Sequence, residues 1–175
     1  MSDALIRAAR LRLIGFDVDG TLTDGSLYIG PQGEGFKRFS VRDGLGLVRL
    51  REAGIRVVLV TGRRSEIVLA RARELGIETV LQGVGDKGAA IASLCAQAGV
   101  TLEEAGFMGD DWPDLPAMTR VGFAATVADA PGELLAVAHW IARAPAGGGA
   151  ARELAEYVLR AQGRALAVQT DGRAA

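Results

Sequence analysis

An α/β fold is predicted for this chain of 175 residues: a Rossmann-like parallel sheet with helices on both faces. Three observations carry the prediction. Short apolar runs, at residues 11–15, 55–60, 79–81, 106–109 and 121–125, alternate with stretches of helical apolar spacing, the pattern of repeated strand–helix units. The run at 55–60 is broken only by Arg56, as suits a strand covered on both faces. The 24 glycines fall mostly where these segments meet, at caps and turns. At 49% hydrophobic and a net charge of -1, the chain has the composition of one globular domain over 1–175 with a sizeable core.

Taken in order, Arg7, Arg10 and Arg12 among apolar residues make a short amphipathic lead-in. The first strand then runs into Phe16, Asp17, Val18, Asp19, Gly20, Thr21, Leu22, Thr23 and Asp24. Alternation at 26–29 and 36–39, joined by a glycine-rich loop at 30–35, predicts a small β-hairpin flap over about 25–39. Asp43 precedes Leu45, Leu47, Val48 and Leu50, and Gly54 closes that helix. The strand at 55–60 ends at Thr61, Gly62 and Arg63. Helical spacing returns over 65–75 and stops at Gly76.

The short strand at 79–81 leads to Gly83, Val84, Gly85, Asp86, Lys87 and Gly88. A small-residue helix follows to Ala98, with Ile91, Leu94, Cys95 and Ala98 on one face. Thr101 with Glu104 has the spacing of a capping box. The strand at 106–109 delivers Asp110, Asp111, Trp112, Pro113 and Asp114. Residues 121–125 form another strand, Pro131 opens a helix over 132–136, and 138–142 reads as the last strand. The C-terminal segment 150–175 is a helix over 150–162 and a polar tail.

Composition excludes several function classes. Basic residues are scattered, so no nucleic-acid-binding face is expected. No run is long enough for a membrane span, and residues 1–12 lack the unbroken apolar core of a signal peptide. A single cysteine leaves no disulfide framework and no thiolate metal site, which fits a reducing, cytoplasmic setting.

In a parallel sheet of this kind, ligands bind outside the carboxyl ends of the strands. Four successive strand ends carry Asp17 with Asp19, Thr61, Lys87, and Asp110 with Asp111 and Asp114. Asp17 and Asp19, two apart at a strand end, are expected on one face. Two like charges so close call for a cation. An aspartate can attack phosphorus to give an aspartyl-phosphate, and Asp17, the more rigidly placed, is the expected nucleophile. Asp19 is expected to protonate the leaving alkoxide and then deprotonate water. Mg²⁺ suits an all-oxygen set, expected from Asp17, Asp19 and Asp110 with Asp111 and Asp114 in support. Thr61, the Gly62 amide and Lys87 would bind the phosphoryl oxygens.

A rival reading comes from Gly83-x-Gly85-x-x-Gly88, a literal dinucleotide-binding pattern after a strand and before a helix. It leaves Asp17, Asp19 and Thr61 without a role. His139, the single histidine, lies in a predicted apolar strand, which argues against histidine-based catalysis.

Asp17-x-Asp19-Gly20-Thr21, Thr61-Gly62-Arg63, Lys87 and Gly109-Asp110-Asp111-x-x-Asp114 resemble, in order, the motifs of the haloacid dehalogenase-like phosphatase superfamily. The stretches 17–25, Val41-Arg42-Asp43-Gly44, Gln82-Gly83 with Asp86-Lys87, and 147–153 are similar to its 3-deoxy-D-manno-octulosonate 8-phosphate phosphatase family. The resemblance covers nearly everything from Leu13 to Gly163. It implies a Mg²⁺-dependent phosphatase of lipopolysaccharide precursor synthesis that acts on a small phosphorylated sugar acid.

The resemblance also implies a fold with no cap domain. The spacing agrees, since only the hairpin and one helix fit between Asp19 and Thr61. A homotetramer with shared active sites is implied too, closed by hairpin loops and a neighbour's C-terminal tail. Ser40, Val41, Arg42, Asp43, Gly44, Arg63 and Arg71 would contact the substrate, an arginine pairing with its carboxylate. Where the family commonly carries arginines this chain has Val48 and Gly148. A nonulosonate (sialic-acid-type) phosphate or a broader range of substrates therefore stays open. A catalytically silent regulatory domain is the non-enzyme alternative.

Overall fold

The computed structural model describes residues 2–164; the polar tail expected at the C-terminus lies, from residue 165 on, outside the described residues. In chain order the elements are α1 (Asp3–Ala9), β1 (Leu13–Phe16), β2 (Tyr28–Gly30), β3 (Gly33–Phe36), α2 (Val41–Glu52), β4 (Arg56–Thr61) and α3 (Glu66–Glu74). There follow β5 (Thr79–Gln82), α4 (Lys87–Ala98), β6 (Ala105–Met108), α5 (Leu115–Met118), β7 (Phe123–Val127), α6 (Gly132–Val137), β8 (Trp140–Ala142) and α7 (Ala150–Ala161). Six strands form one sheet in the order β5-β4-β1-β6-β7-β8, and every pairing in it is parallel.

Every residue of β1, β6 and β7 is buried. Alternate strand residues face opposite ways, so such strands must be covered on both faces. Phe16, Phe107 and Phe123 are the largest side chains shut in completely. Helices α1, α2 and α7 pack as one group and α4 with α5 as another. The edge strands β5 and β8 are only partly buried.

Local chemistry sets the helix ends. Ser40 caps α2 by accepting from the Asp43 amide, and Asp86 caps α4 by accepting from the Ala89 amide. Gly99, left-handed at φ 62°, ends α4. The Thr101–Glu104 capping box forms as expected, on a short 3-10 turn. The lead-in before the first strand is the helix α1, capped by Ser2. Strand β8 starts at Trp140, two residues later than expected. His139 precedes it, donating its amide to the Ala124 carbonyl and accepting the Ala124 amide on Nδ1 at 2.9 Å. That histidine is a structural tie.

The hairpin differs most from expectation. Its strands pair Tyr28 with Phe36, Ile29 with Glu34 and Gly30 with Gly33, so Pro31 and Gln32 alone make the turn. Gly33 at φ 103° supplies the conformation that turn needs. The second strand therefore ends at Phe36, stacked on Tyr28 at 4.3 Å between ring centroids. Residues 37–39 leave the ladder, and Lys37 is buried.

Candidate active site

The loop after β1 is tightly wound. The Asp17 amide still donates to Met108 in the sheet (2.9 Å), but the amides of Thr21, Leu22 and Thr23 all converge on the Val18 carbonyl. Gly20 takes φ 90° there, and a Cβ on it would lie 2.0 Å from Asp110 Oδ2. A Cβ on Gly109 would lie 2.3 Å from the Asp114 carboxyl carbon. These two glycines make room for two acids.

Asp17 is buried at the carboxyl end of β1. Lys87, the first residue of α4, donates to Asp17 Oδ1 and to Asp114 Oδ1, each at 2.6 Å. Asp114 Oδ2 accepts the amides of Asp110 (3.0 Å) and Asp111 (3.2 Å), which shapes the acidic loop. Thr21 donates its hydroxyl to Asp110 Oδ1 at 2.8 Å. Asp17, Asp110 and Asp114 each bring a carboxylate oxygen within 4.8 Å of the others. Asp111 instead caps the next turn, accepting from the Trp112 amide.

Three carboxylates around one lysine leave an excess of negative charge. Burial, reinforced by Asp114, pushes Asp17 up to about 8 despite the opposing pull of Lys87. Asp110 rises to about 6, again chiefly from burial, with the Thr21 hydrogen bond opposing. Burial alone would lower Lys87, yet the charges of Asp17 and Asp114 outweigh it and raise its pKa. The lysine stays charged.

Asp19 departs from the expected arrangement. Its carboxylate is not among the three that cluster. The chain turns straight after Asp17, so the alternation of an extended strand does not carry over to Asp19. It faces the hairpin instead, where Lys37 Nζ donates to its Oδ1. Arg63 Nε lies 3.6 Å from its Oδ2. Lys37 also donates to Glu34 Oε1 at 2.7 Å, and Glu34 Oε2 accepts the Ser65 hydroxyl at 2.9 Å.

Other expected residues divide. Thr61 is buried at the end of β4, its Oγ1 accepting the Arg63 amide at 3.3 Å, while Gly62 beside it is exposed. Ser40 caps α2, with Val41 and Arg42 exposed next to it. Asp43 is buried and is not one of the three clustered acids. Its two oxygens accept the amides of Gly149 (3.1 Å) and Arg152 (2.8 Å) at the start of α7. Arg71 is committed as well, pairing with Glu74 at 2.8 Å and donating to the Ser40 carbonyl at 3.2 Å. Gly44 lets it approach, since a Cβ there would lie 2.2 Å from its guanidinium. Both fasten helices together. The dinucleotide pattern is also used otherwise: its Lys87 serves the acids, and Gly88 admits the Pro116 carbonyl, 2.5 Å from where a Cβ would sit.

A family model described as haloacid dehalogenase-like hydrolase matches residues 80–154. The 3-deoxy-D-manno-octulosonate 8-phosphate phosphatase KdsC of Yersinia pestis is 43% identical over 91% of this chain and 86% of its own length. The chain belongs to this phosphatase family. The KdsC of Escherichia coli strain K12 is 38% identical over 93% of this chain and 87% of its own. The solved phosphatase of Moraxella catarrhalis, in complex with a magnesium ion, a phosphate ion and a KDO molecule, superposes with a TM-score of 0.90. It shares 39% identity and covers 93% of this chain and 94% of that one. The cobalt-bound phosphatase of Haemophilus influenzae gives a TM-score of 0.87 at 40% identity, covering 90% of this chain and 92% of that one.

For a phosphatase of this family, the donor set fits a hard divalent cation. All candidate ligand atoms are carboxylate oxygens, and burial without enough positive charge is what raises Asp17 and Asp110. Lys87 and Thr21 each use only one oxygen of Asp17 and Asp110, which leaves the second oxygen of each for a metal. Lys37 and Glu34 escaped the sequence reading. A lysine in an alternating stretch reads as a solvated strand residue, and only the hairpin's early end turns it inward.

Proposed function

We propose that this chain hydrolyses 3-deoxy-D-manno-octulosonate 8-phosphate to the free sugar acid and phosphate, through an aspartyl-phosphate on Asp17. The observation that carries the reading is the buried Asp17, fixed at a strand end and held by Lys87 at 2.6 Å. Its family membership supplies the substrate. Mg²⁺, when bound by Asp17 and Asp110 with Asp114 behind them, neutralises charge on the acids and on the phosphoryl group.

Asp17 attacks phosphorus through Oδ1, the oxygen beside Lys87, which leaves Oδ2 for the metal. Its O–P bond forms as the P–O bond to the sugar breaks. Lys87, Thr61 and the Gly62 amide steady the phosphoryl oxygens through this step. Asp19 gives its proton to the departing sugar oxygen. It then takes one from the water that attacks phosphorus, and the Asp17 carboxylate is released with inorganic phosphate. Ser40, Val41, Arg42 and Arg63 lie on the hairpin side, where the sugar acid would be recognised.

A homotetramer in the cytoplasm completes the reading. Its support is a group of exposed apolar side chains on the hairpin and the start of α2: Leu27, Ile29, Phe36, Val41 and Leu45. Sheltering them against further copies removes that surface from water and covers an otherwise open site. Among the described residues no helix is long and apolar enough to cross a membrane.

The test is an assay of phosphorylated sugar acids with Mg²⁺, comparing wild type with Asp17→Asn. The eight-carbon acid should be the preferred substrate, EDTA should stop turnover, and the variant should be inactive. Equal, EDTA-insensitive rates for both proteins would sink the mechanism. A preference for a nine-carbon acid would sink the substrate assignment alone.

A further inference from the structure

The second charged cluster, between the hairpin and the strand ends, has no part in holding a metal or attacking phosphorus. Its lysine is nonetheless deeply buried: the Lys37 side chain is only 1% exposed. Burying an ammonium so fully is costly unless it is paired and hydrogen-bonded. Lys37 reaches two carboxylates, Asp19 and Glu34. Glu34 is itself tied to Ser65, the residue before α3. Ser65 sits at the capping position of that helix, yet its side chain makes no capping bond. Its hydroxyl goes to the hairpin instead. Asp19 Oδ2 is buried and has no hydrogen-bond partner, with only Arg63 nearby at 3.6 Å.

Asp19 is thus gripped through one oxygen while the other stays free. That is the arrangement an acid/base needs: a fixed carboxyl with one oxygen available to the sugar oxygen and then to water. Lys37 is the group that fixes this carboxyl, which sits on a glycine-containing loop two residues from Asp17.

We propose that Lys37, held in place by Glu34 and Ser65, is the positioning residue for the Asp19 acid/base, so that the hairpin sets proton transfer and does not only cover the substrate. This role rests on the phosphatase reading above, and it concerns protonation of the leaving group, not attack by Asp17. It therefore makes a prediction that depends on the leaving group. A sugar alkoxide needs a proton to depart, whereas p-nitrophenolate is stable enough to leave without one.

The experiment measures kcat and KM with Mg²⁺ for the sugar acid phosphate and for p-nitrophenyl phosphate, in wild type, Lys37→Met, Lys37→Arg and Ser65→Ala. In Lys37→Met, kcat/KM, which reports the steps through departure of the leaving group, should fall ~10²-fold on the sugar acid phosphate, the scale of general acid catalysis, and less than ~3-fold on p-nitrophenyl phosphate. Lys37→Arg, which keeps the cation, should recover most of the loss. Ser65→Ala, which frees only one oxygen of Glu34 and leaves the buried lysine paired, should show the same selective loss at ~3- to 10-fold. This variant keeps the test decisive if Lys37→Met does not fold. Equal losses of kcat/KM on both substrates, or no loss on the sugar acid phosphate, would overturn the role. A wild type inactive on both substrates would refute the phosphatase reading itself, and this role with it.

Discussion

Two lysines serve two groups of acids in this molecule, and the groups are built differently. Around Lys87 stand Asp17, Asp110 and Asp114, three carboxylates on a single cation. Around Lys37 stand Asp19 and Glu34, with Arg63 as a second cation, so the charges balance. The first group comes from the carboxyl ends of parallel strands, fixed by the sheet. The second comes from a loop, a hairpin and the residues after β4. The difference teaches where a metal is needed. The unbalanced group has an excess of carboxylates for a metal to neutralise, and the balanced group already has a cation for each acid.

Loss of Lys87 should separate the two groups most strongly. Lys87→Met should lower kcat by ~10³-fold on the sugar acid phosphate and on p-nitrophenyl phosphate alike, because both need the phosphoryl group neutralised. The same change should destabilise the fold by ~3 kcal/mol or more, since Asp17 and Asp114 lose their buried partner. Steady-state kinetics and thermal unfolding read the two effects. A selective loss on the sugar substrate would make the two lysines equivalent and erase the distinction.

The next effect is in pH and metal. Asp17 at about 8 and Asp110 at about 6 are both raised above their unfolded values. The metal-free folded state therefore holds more protons than the unfolded state between about pH 4 and 8. Their contribution to stability is full at low pH and is lost as pH rises through the folded values. Metal reverses the sign, because it binds the ionised acids. With EDTA, Tm should be higher at pH 5.5 than at pH 8, as far as these two acids govern it. Added Mg²⁺ should raise Tm by several degrees at pH 8, about 2–4 °C for each kcal/mol, and by less at pH 5.5. A metal response that is the same at both pH values would remove the case for an unbalanced group.

The unbalanced group was also the legible one. Asp17, Lys87 and Asp110 stand at strand ends, and the rule that parallel strands deliver ligands at one edge gathers them from separated stretches. The strands themselves were readable because they are buried on both faces, which leaves continuous apolar runs such as residues 106–109. The balanced group was hidden for a local reason. The pairing of Asp17 and Asp19 assumed that an extended chain continues past Asp17, and the amides converging on Val18 show that it does not. Lys37 faces inward only because Gly33 allows a turn at Pro31 and Gln32 that ends the hairpin before it. Neither event has a periodic signal. Gly148 is a smaller case: a Cβ there would lie 2.8 Å from Pro145 Cγ, so the glycine goes with a crowded position.

Asp43 belongs to neither group. Sequence similarity places it among the substrate contacts, whereas its carboxylate accepts two amides at the start of α7. Burial raises its pKa, with those amide bonds opposing. Such an acid acts as a cap joining α2 to α7, and it needs neither metal nor lysine. Asp43→Asn keeps one acceptor oxygen and loses the charge near a helix start. It should cost about 1 kcal/mol, the scale of a cap, with kcat/KM for the sugar acid phosphate changed less than ~3-fold. Thermal unfolding and steady-state kinetics on one preparation decide it. Unchanged stability with a tenfold higher KM would return Asp43 to the substrate side. The expected result would leave recognition of the sugar acid to Arg42 and Arg63.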